Sequence, residues 1–347
     1  MEAIQFDPKA KKLSLIKKQI PDKLADNQVL VQVYYAGICG TDLHILDGEF
    51  PCKKDGPFVL GHEFSGIVVN IGKNIRHVKV GDRVAADPNT GCNVCINCRN
   101  GNPHYCKDGA LNTTIGIYVD GGWSQYCLVA DVQIVKLPDS ITLEQAALCE
   151  PISCISHGWD KISPIPIGKK ILIIGAGIIG NLFISLLHVQ GHKNVTVSEM
   201  NKERLHLTER LKTGYDLITP DTLMERQQND SSYLFDLIID CSGNCKAIEH
   251  AFSLLNYGAK LCMFGVANPA HKISIAPFEI FQKELTLYGI TINPFSFPKA
   301  IGFIESMGSR YLDYAKLGIE IFALKDYEKA IECLRKGAIA KATFKIH

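Results

Sequence analysis

A chain of 347 residues, 46% of them hydrophobic, has length for about two domains with cores of their own. Its 37 Lys and Arg balance 36 Asp and Glu, and a formal net charge of +1 provides no field to gather nucleic acid or a membrane surface, so neither is expected as a partner. No run is long and apolar enough to span a bilayer. The N-terminal MEAIQFDPKAKKLSLIKKQIPD alternates where a signal peptide would be continuously apolar, and the C-terminal FKIH is no retention or peroxisomal address, so the expected location is cytoplasmic.

Residues 1 to about 150 hold short alternating runs, QVLVQVYY (28–35), FSGIVVNIG (64–72) and WSQYCLVA (123–130), punctuated by Gly and Pro, which predicts a β-rich domain. Three of its loops carry metal-ligand types: Cys39 and His44 in CGTDLH, His62 and Glu63 in GHE, and Glu150 before Pro151. Such soft and borderline ligands suit a catalytic zinc, which takes three protein ligands and keeps a fourth position open. Singly, each reads as a core cysteine or a satisfied histidine.

Between these loops lies GCNVCINCRNGNPHYCKDG, with Cys92, Cys95, Cys98 and Cys106 and no apolar periodicity with which to bury itself. Four thiolates around Zn²⁺ at about 2.3 Å can replace a hydrophobic core in such a loop. Free or disulfide-bonded cysteines are the alternative, and a reducing compartment disfavours disulfides. The other cysteines read as buried thiols.

From Gly168 the texture changes. KKILIIG is an apolar strand, IIGNLFISLLHVQ has helical spacing, NVTVSE is a second strand, and strands recur at LFDLIID (234–240), AKLCMFG (259–265) and LTLYGI (285–290) with helical segments between, such as ERLHLTERL (203–211). This βαβ alternation predicts a parallel sheet covered by helices. SPIPIGKK (163–170) is the boundary or entry loop. Gly175-Ala176-Gly177-Ile178-Ile179-Gly180 follows the first strand and opens the helix, the context that makes GxGxxG a dinucleotide site. Gly175 serves the tight turn, Gly177 the approach of pyrophosphate and Gly180 the packing of helix on sheet. Glu199, near the expected offset of roughly 20 residues, is placed to accept the ribose hydroxyls and repel a 2′-phosphate, which favours NAD over NADP. Arg204 lies near the same pocket and fits a ribose or a phosphate; Gly265 and Asn293 complete the expected cofactor set. After Asn293 the pattern predicts two helices and a last strand, KATFKI, too little for a core of their own.

Taken together, these pieces resemble the zinc-dependent medium-chain dehydrogenase/reductase family, which includes alcohol and sorbitol dehydrogenases. GHEFSGIVVNIGKNI (61–75) matches the family's zinc signature at Gly61, His62, Glu63, Gly66, Gly72 and Ile75; the cysteine quartet has the spacing of its structural-zinc lobe, and GAGIIG stands where its coenzyme fold begins. The resemblance implies an α/β protein with a GroES-like catalytic domain at 1–152, to which 293–347 return, and a Rossmann domain with a doubly wound parallel sheet at 153–292. It implies two zinc ions per subunit and NAD. Cys39 and His62 would be ligands of the catalytic zinc, with Glu63 and Glu150 completing the set in an order that spacing does not rank. Thr41 and His44 match the family's proton-relay positions beside a hydride transfer from carbinol carbon to nicotinamide.

ALCEPISC (147–154) looks like the polyol branch, since alcohol dehydrogenases carry a second cysteine where Glu150 stands. Sorbitol dehydrogenases have an Arg-Tyr pair where this chain has Ile292-Asn293, so a polyol other than sorbitol, or a related secondary alcohol, is the expected substrate. L-Threonine and 2,3-butanediol-type alcohols are the alternatives within the family. A non-catalytic scaffold binding zinc and nucleotide is the alternative outside it. LTLYGI resembles the family's intersubunit sheet edge, which implies a homodimer or homotetramer.

Overall fold

The computed structural model describes all 347 residues, Met1–His347. No helix is long and apolar enough to cross a membrane. In the β-rich half, Gln28–Gly37 is the central strand. It pairs antiparallel with Phe64–Ile71, Tyr126–Ala130 and Lys341–Lys345, and the sheet continues through Arg83–Ala86 to Ile134–Lys136 on one side and to Ile319–Phe322 on the other. The alternation read in the sequence is a burial pattern: Val29, Val31 and Val33 are fully enclosed. Phe344 meets Trp123 edge to face at 5.4 Å, and the Trp123 indole N–H donates to Gly37 O at 2.9 Å. At Gly66, in the zinc signature, a Cβ would lie 2.1 Å from Gln32 O, so only glycine lets the two strands approach.

The second half is a six-stranded parallel sheet in the order Asp216–Ile218, Val195–Ser198, Ile171–Ile174, Phe235–Asp240, Leu255–Met263, Thr286–Gly289. Helices cover it, which is why Ile171–Ile174 and Val195–Ser198 are buried along their whole length and show no polar alternation. Strand order reverses beside Ile171–Ile174, and the crevice outside the carboxyl ends at that point is where such sheets bind nucleotides.

The division at 152 falls inside the helix Cys149–Ile162, whose Ile152, Ile155 and Ile162 are buried in one core with Ile171, Ile173 and Phe183 of the coenzyme half. Beyond 293, where the Asn293 side chain already packs on the catalytic half, the chain rejoins the catalytic sheet as a strand at Ile319. The helix Phe297–Tyr311 instead places Phe297, Ala300 and Ile304 in that same core, and the short helix Tyr314–Leu317 adds Leu317. From Ile319 the chain rejoins the catalytic sheet through two strands where one was expected, with the helix Tyr327–Arg335 between them. The core shared by Cys149–Ile162 and Phe297–Tyr311 also takes in Ala85, Leu137 and Ile141 of the β-rich half, so these helices pack where the two halves meet.

Candidate active site and metal centres

The helix Gly40–Asp47 starts at Cys39, and the Asp42 carboxylate in its first turn accepts the Cys39 backbone N–H at 2.8 Å. That capping contact fixes the loop that presents the Cys39 thiol. His62 and Glu63, entering the strand Phe64–Ile71, bring their side chains to it, so that one ligand atom from each of Cys39, His62 and Glu63 lies within 4.8 Å of the others. His62 turns Nδ1 toward Asp42 Oδ1 at 3.5 Å, which leaves Nε2 for a cation. Burial opposes a charged imidazole here, but Asp42 and Cys39 outweigh it and raise the ring well above the usual histidine range. A site that attracts a proton so strongly also suits a metal ion, and a carboxylate behind a ligating histidine is the usual support for one. Asp42 Oδ1 and His62 Nδ1 are sealed from solvent and face only each other, so the carboxylate holds the ring from behind. The donor set and its packing fit zinc.

Glu150 stands outside that trio. It projects from the first turn of Cys149–Ile162, where Cys154, one turn later, donates its thiol to Oε1 at 3.5 Å. Burial pushes its carboxyl up to about 7, with Glu63 adding to the rise while His62 and Lys341 oppose it. Glu63 has a partner that sequence reasoning missed: Lys341, from the returning strand, forms a buried ion pair with it and also donates to Ile38 O at 3.2 Å. A Cβ at Gly37 would lie 2.2 Å from the Glu63 carboxylate, so glycine makes room for the pair. Asp42 was also missed, although a carboxylate three residues after an N-cap is a legible signal. Lys341, 278 residues from Glu63, leaves no local signal.

Thr41 is half-buried in the first turn of the same helix. His44 Nδ1 lies 2.7 Å from Glu49 Oε2, while Glu49 Oε1 accepts from Asn268 of the coenzyme half at 3.1 Å, so the histidine is held through a contact between the two halves.

At the glycine turn, Gly175 has φ +95°, and a Cβ at Gly180 would lie 2.0 Å from Gly175 O. Gly177 caps the helix Ile178–Val189 with open space where its Cβ would be, and Ile178 and Ile179 form its half-buried first turn. Turn and helix N-terminus thus form a cradle that a side chain would fill, which fits a dinucleotide pyrophosphate. Glu199 spends both oxygens on backbone, accepting Ala176 N–H at 2.7 Å and Asn201 N–H at 2.8 Å, and so ties the glycine turn to the neighbouring strand end. Arg204 Nη1 lies 4.0 Å from Glu199, and Nε is buried without a partner. Gly265 packs on Gly243, where a Cβ would come within 2.2 Å of a backbone nitrogen. The Asn293 side chain is buried against the catalytic half, donating to Asp87 at 2.9 Å and accepting from Asn89 at 2.5 Å.

The cysteine lobe has almost no core, since Cys98, Cys106 and Ala110 are its only buried cluster. All thirteen cysteines are free, and the four lobe sulfurs converge within 4.8 Å, with Cys95 Sγ 3.5 Å from Cys98 and 3.8 Å from Cys106. Zn–S bonds of about 2.3 Å in a tetrahedron place sulfurs roughly 3.8 Å apart, so the quartet fits zinc. Backbone N–H groups of Val94 and Cys95 lower the Cys92 thiol to about 6 and favour the thiolate that binds metal. Replacing Cys98 with Ser should remove one zinc per chain by elemental analysis and lower Tm by at least about 5 °C. An unchanged Tm with that zinc missing would contradict the lobe's structural role.

Residues 25–139 match the family described as alcohol dehydrogenase GroES-like domain, and residues 179–306 match zinc-binding dehydrogenase. D-arabinitol dehydrogenase 1 of Uromyces fabae is 30% identical over 96% of this chain and 93% of its own. A protein of Sinorhizobium meliloti 1021 classed as a zinc-binding dehydrogenase, solved with NADP, shares 29% identity and superposes over 99% of both chains with a TM-score of 0.85. An alcohol dehydrogenase of Escherichia coli CFT073, solved with NADH, shares 27% identity over 100% of this chain and 99% of its own, with a TM-score of 0.87.

Proposed function

The chain belongs to the zinc-dependent medium-chain dehydrogenase/reductase family, and from that premise we propose that it oxidises a secondary alcohol within a polyol to a ketone, with NAD as acceptor. It is an oxidoreductase with the family's GroES-like and Rossmann halves. The convergence of Cys39, His62 and Glu63 is the observation that carries the reading. Bound there, zinc would polarise the substrate oxygen as a Lewis acid, and bound at the glycine turn NAD would accept the hydride.

The chain's own residues do the rest. Asp42 orients His62, Lys341 balances the charge of Glu63, and Glu150 lines the site as a carboxyl that can exchange a proton near neutrality. Thr41 and His44 are assigned the proton's path outward, with Glu49 holding the imidazole. Gly175, Gly177 and Gly180 admit the pyrophosphate, while Glu199 and Arg204 frame the adenosine ribose. A second zinc is assigned to Cys92, Cys95, Cys98 and Cys106. Thr286–Gly289, at the open edge of its sheet, supports a homodimer or homotetramer, and the cytoplasm is the proposed location.

With NAD, a panel of xylitol, arabinitol, sorbitol, 2,3-butanediol and L-threonine should give NADH on at least one polyol, and prior chelation of zinc should abolish it. No turnover on any alcohol with both zincs loaded would refute the reading and favour a binding scaffold. Cofactor choice has its own test. Hydrogen bonds to a charged group are worth about 1.5–3 kcal/mol, so Glu199→Ala should weaken NAD about ten- to a hundredfold and narrow the preference over NADP. An unchanged ratio of kcat/KM for the two coenzymes would remove Glu199 from that role.

A further inference from the structure

A cavity of about 270 Å³ lies where the N-terminal hairpin, Glu2–Asp7 paired with Lys12–Lys17, meets the end of the helix Gly40–Asp47. At a liquid share of roughly 30 Å³ per water it has room for about nine waters, or for one small aromatic molecule. Its apolar walls are Phe6 and Ile45, each 2% exposed, with the half-buried Pro8 and Phe50. The rest of the lining is cationic: Lys9 and Lys11 stand on the turn of the hairpin and Lys54 on the loop after the helix, all three exposed. No acidic residue lines it.

The fold's own charges account for only one of these lysines. Lys11 lies over Gly48, the left-handed cap at φ +77°, with Nζ 3.2 Å from where a Cβ would stand, and so complements the carbonyl end of the helix. Lys9 and Lys54 have no such partner. Carboxylates close in sequence are engaged elsewhere: Asp7 accepts the backbone N–H groups of Lys9 and Ala10 at 2.9 and 3.2 Å, Asp47 pairs with Arg335, and Glu49 holds His44. Cys52, half-buried in the wall, donates its thiol to Lys53 O at 3.5 Å, and burial raises it above the usual thiol range, so it adds no negative charge. Apolar walls below unpaired cations match a molecule with an apolar body and one anionic end. Its ring would gain about 25 cal/mol for each Å² removed from water, while a carboxylate at the mouth keeps part of its hydration and meets the ammonium groups.

We propose that this cavity is a binding site for a small aromatic monocarboxylate, separate from the metal centre and the glycine turn, and that its occupant braces the helix that presents Cys39. Ile45 and Gly48 belong to the end of that helix, which is closed by Gly48 N–H to Ile45 O at 3.0 Å and Glu49 N–H to His44 O at 2.8 Å. The site itself stands whether or not the metal centre oxidises an alcohol.

The test titrates benzoate, and benzamide as its neutral isostere, into the zinc-loaded protein saturated with NADH, which keeps the coenzyme cleft filled. Benzoate should bind at least tenfold more tightly than benzamide by calorimetry. Lys9→Glu with Lys54→Glu should weaken benzoate tenfold or more and leave Tm within about 2 °C, since both side chains are exposed. Place is read separately: bound benzoate should slow alkylation of Cys52 by iodoacetamide at least fivefold, mapped by peptide mass spectrometry, and slow hydrogen exchange at the amides of Gly48 and Glu49. Equal affinity for the two compounds, no benzoate binding up to about 10 mM, or binding that leaves Cys52 unprotected would each overturn the proposal. If the double variant fails to fold, Lys54→Ala takes its place, with a threefold loss of benzoate affinity expected and an unchanged affinity counting against the site.

Discussion

A Cys39→Ser variant should fold, keep the zinc of the cysteine lobe, and lose about three orders of magnitude or more in kcat/KM, since Lewis-acid stabilisation is worth several kcal/mol and each 1.4 kcal/mol is tenfold. Folding should survive because Cys39 is an N-cap whose backbone contact to Asp42 does not involve its sulfur, and because the core beneath it, Val33, Ala36, Ile38 and Phe64, is apolar and complete. Zinc should fall from two ions per chain to one, with little change in the far-UV spectrum. Cys98→Ser should also leave one zinc, but with the loss showing in Tm. If Cys39→Ser keeps both zincs and most of its turnover, the trio of Cys39, His62 and Glu63 is not the catalytic centre.

The largest effect on stability is expected at Lys341. Its side chain is 1% exposed and that of its partner Glu63 is 2% exposed. Burial opposes the charge, but Glu63, Cys39 and Glu150 surround it with acidic groups and raise the lysine above its ordinary range, so it stays charged. Removing one member of a buried pair leaves the other uncompensated and costs about 3–5 kcal/mol, whereas replacing both is often close to neutral. Lys341→Met should therefore be destabilised by that amount in urea, and Glu63→Gln with Lys341→Met should recover most of it. The comparison is made with the catalytic zinc removed, since a bound cation would itself balance Glu63, and a single variant then within about 1 kcal/mol of the parent would contradict the pair's role. Because Lys341 lies on the last strand and Glu63 on a strand of the central sheet, the same pair fastens the returning C-terminal segment beside the metal centre.

What could be read from the residues alone was whatever depends on neighbours in sequence. The cysteine quartet spans a short loop, the glycine turn lies between a strand and a helix, and Gly66 and Gly180 occupy positions where a Cβ would strike a backbone oxygen. These features obey local geometry, so spacing reveals them, and with them the parallel sheet, the metal-ligand types and the dinucleotide turn. Other features were decided only when distant segments met. Lys341 reaches Glu63 from the far end of the chain, and the side chain of Asn293 closes a network with Asp87 and Asn89. Glu63 and Glu150, equal as candidates by residue type, are separated by the directions from which a strand and a helix project them, which bring one to Cys39 and His62 and turn the other to Cys154. Likewise the apolar face of the helix Phe297–Tyr311 is completed in a core that draws on both halves, Leu137 and Ile141 from one and Ile173 and Phe183 from the other. Side-chain periodicity tells which face of an element must be covered, but the covering partner is chosen by the whole fold, which alone places charges and amides from separate strands within bonding distance.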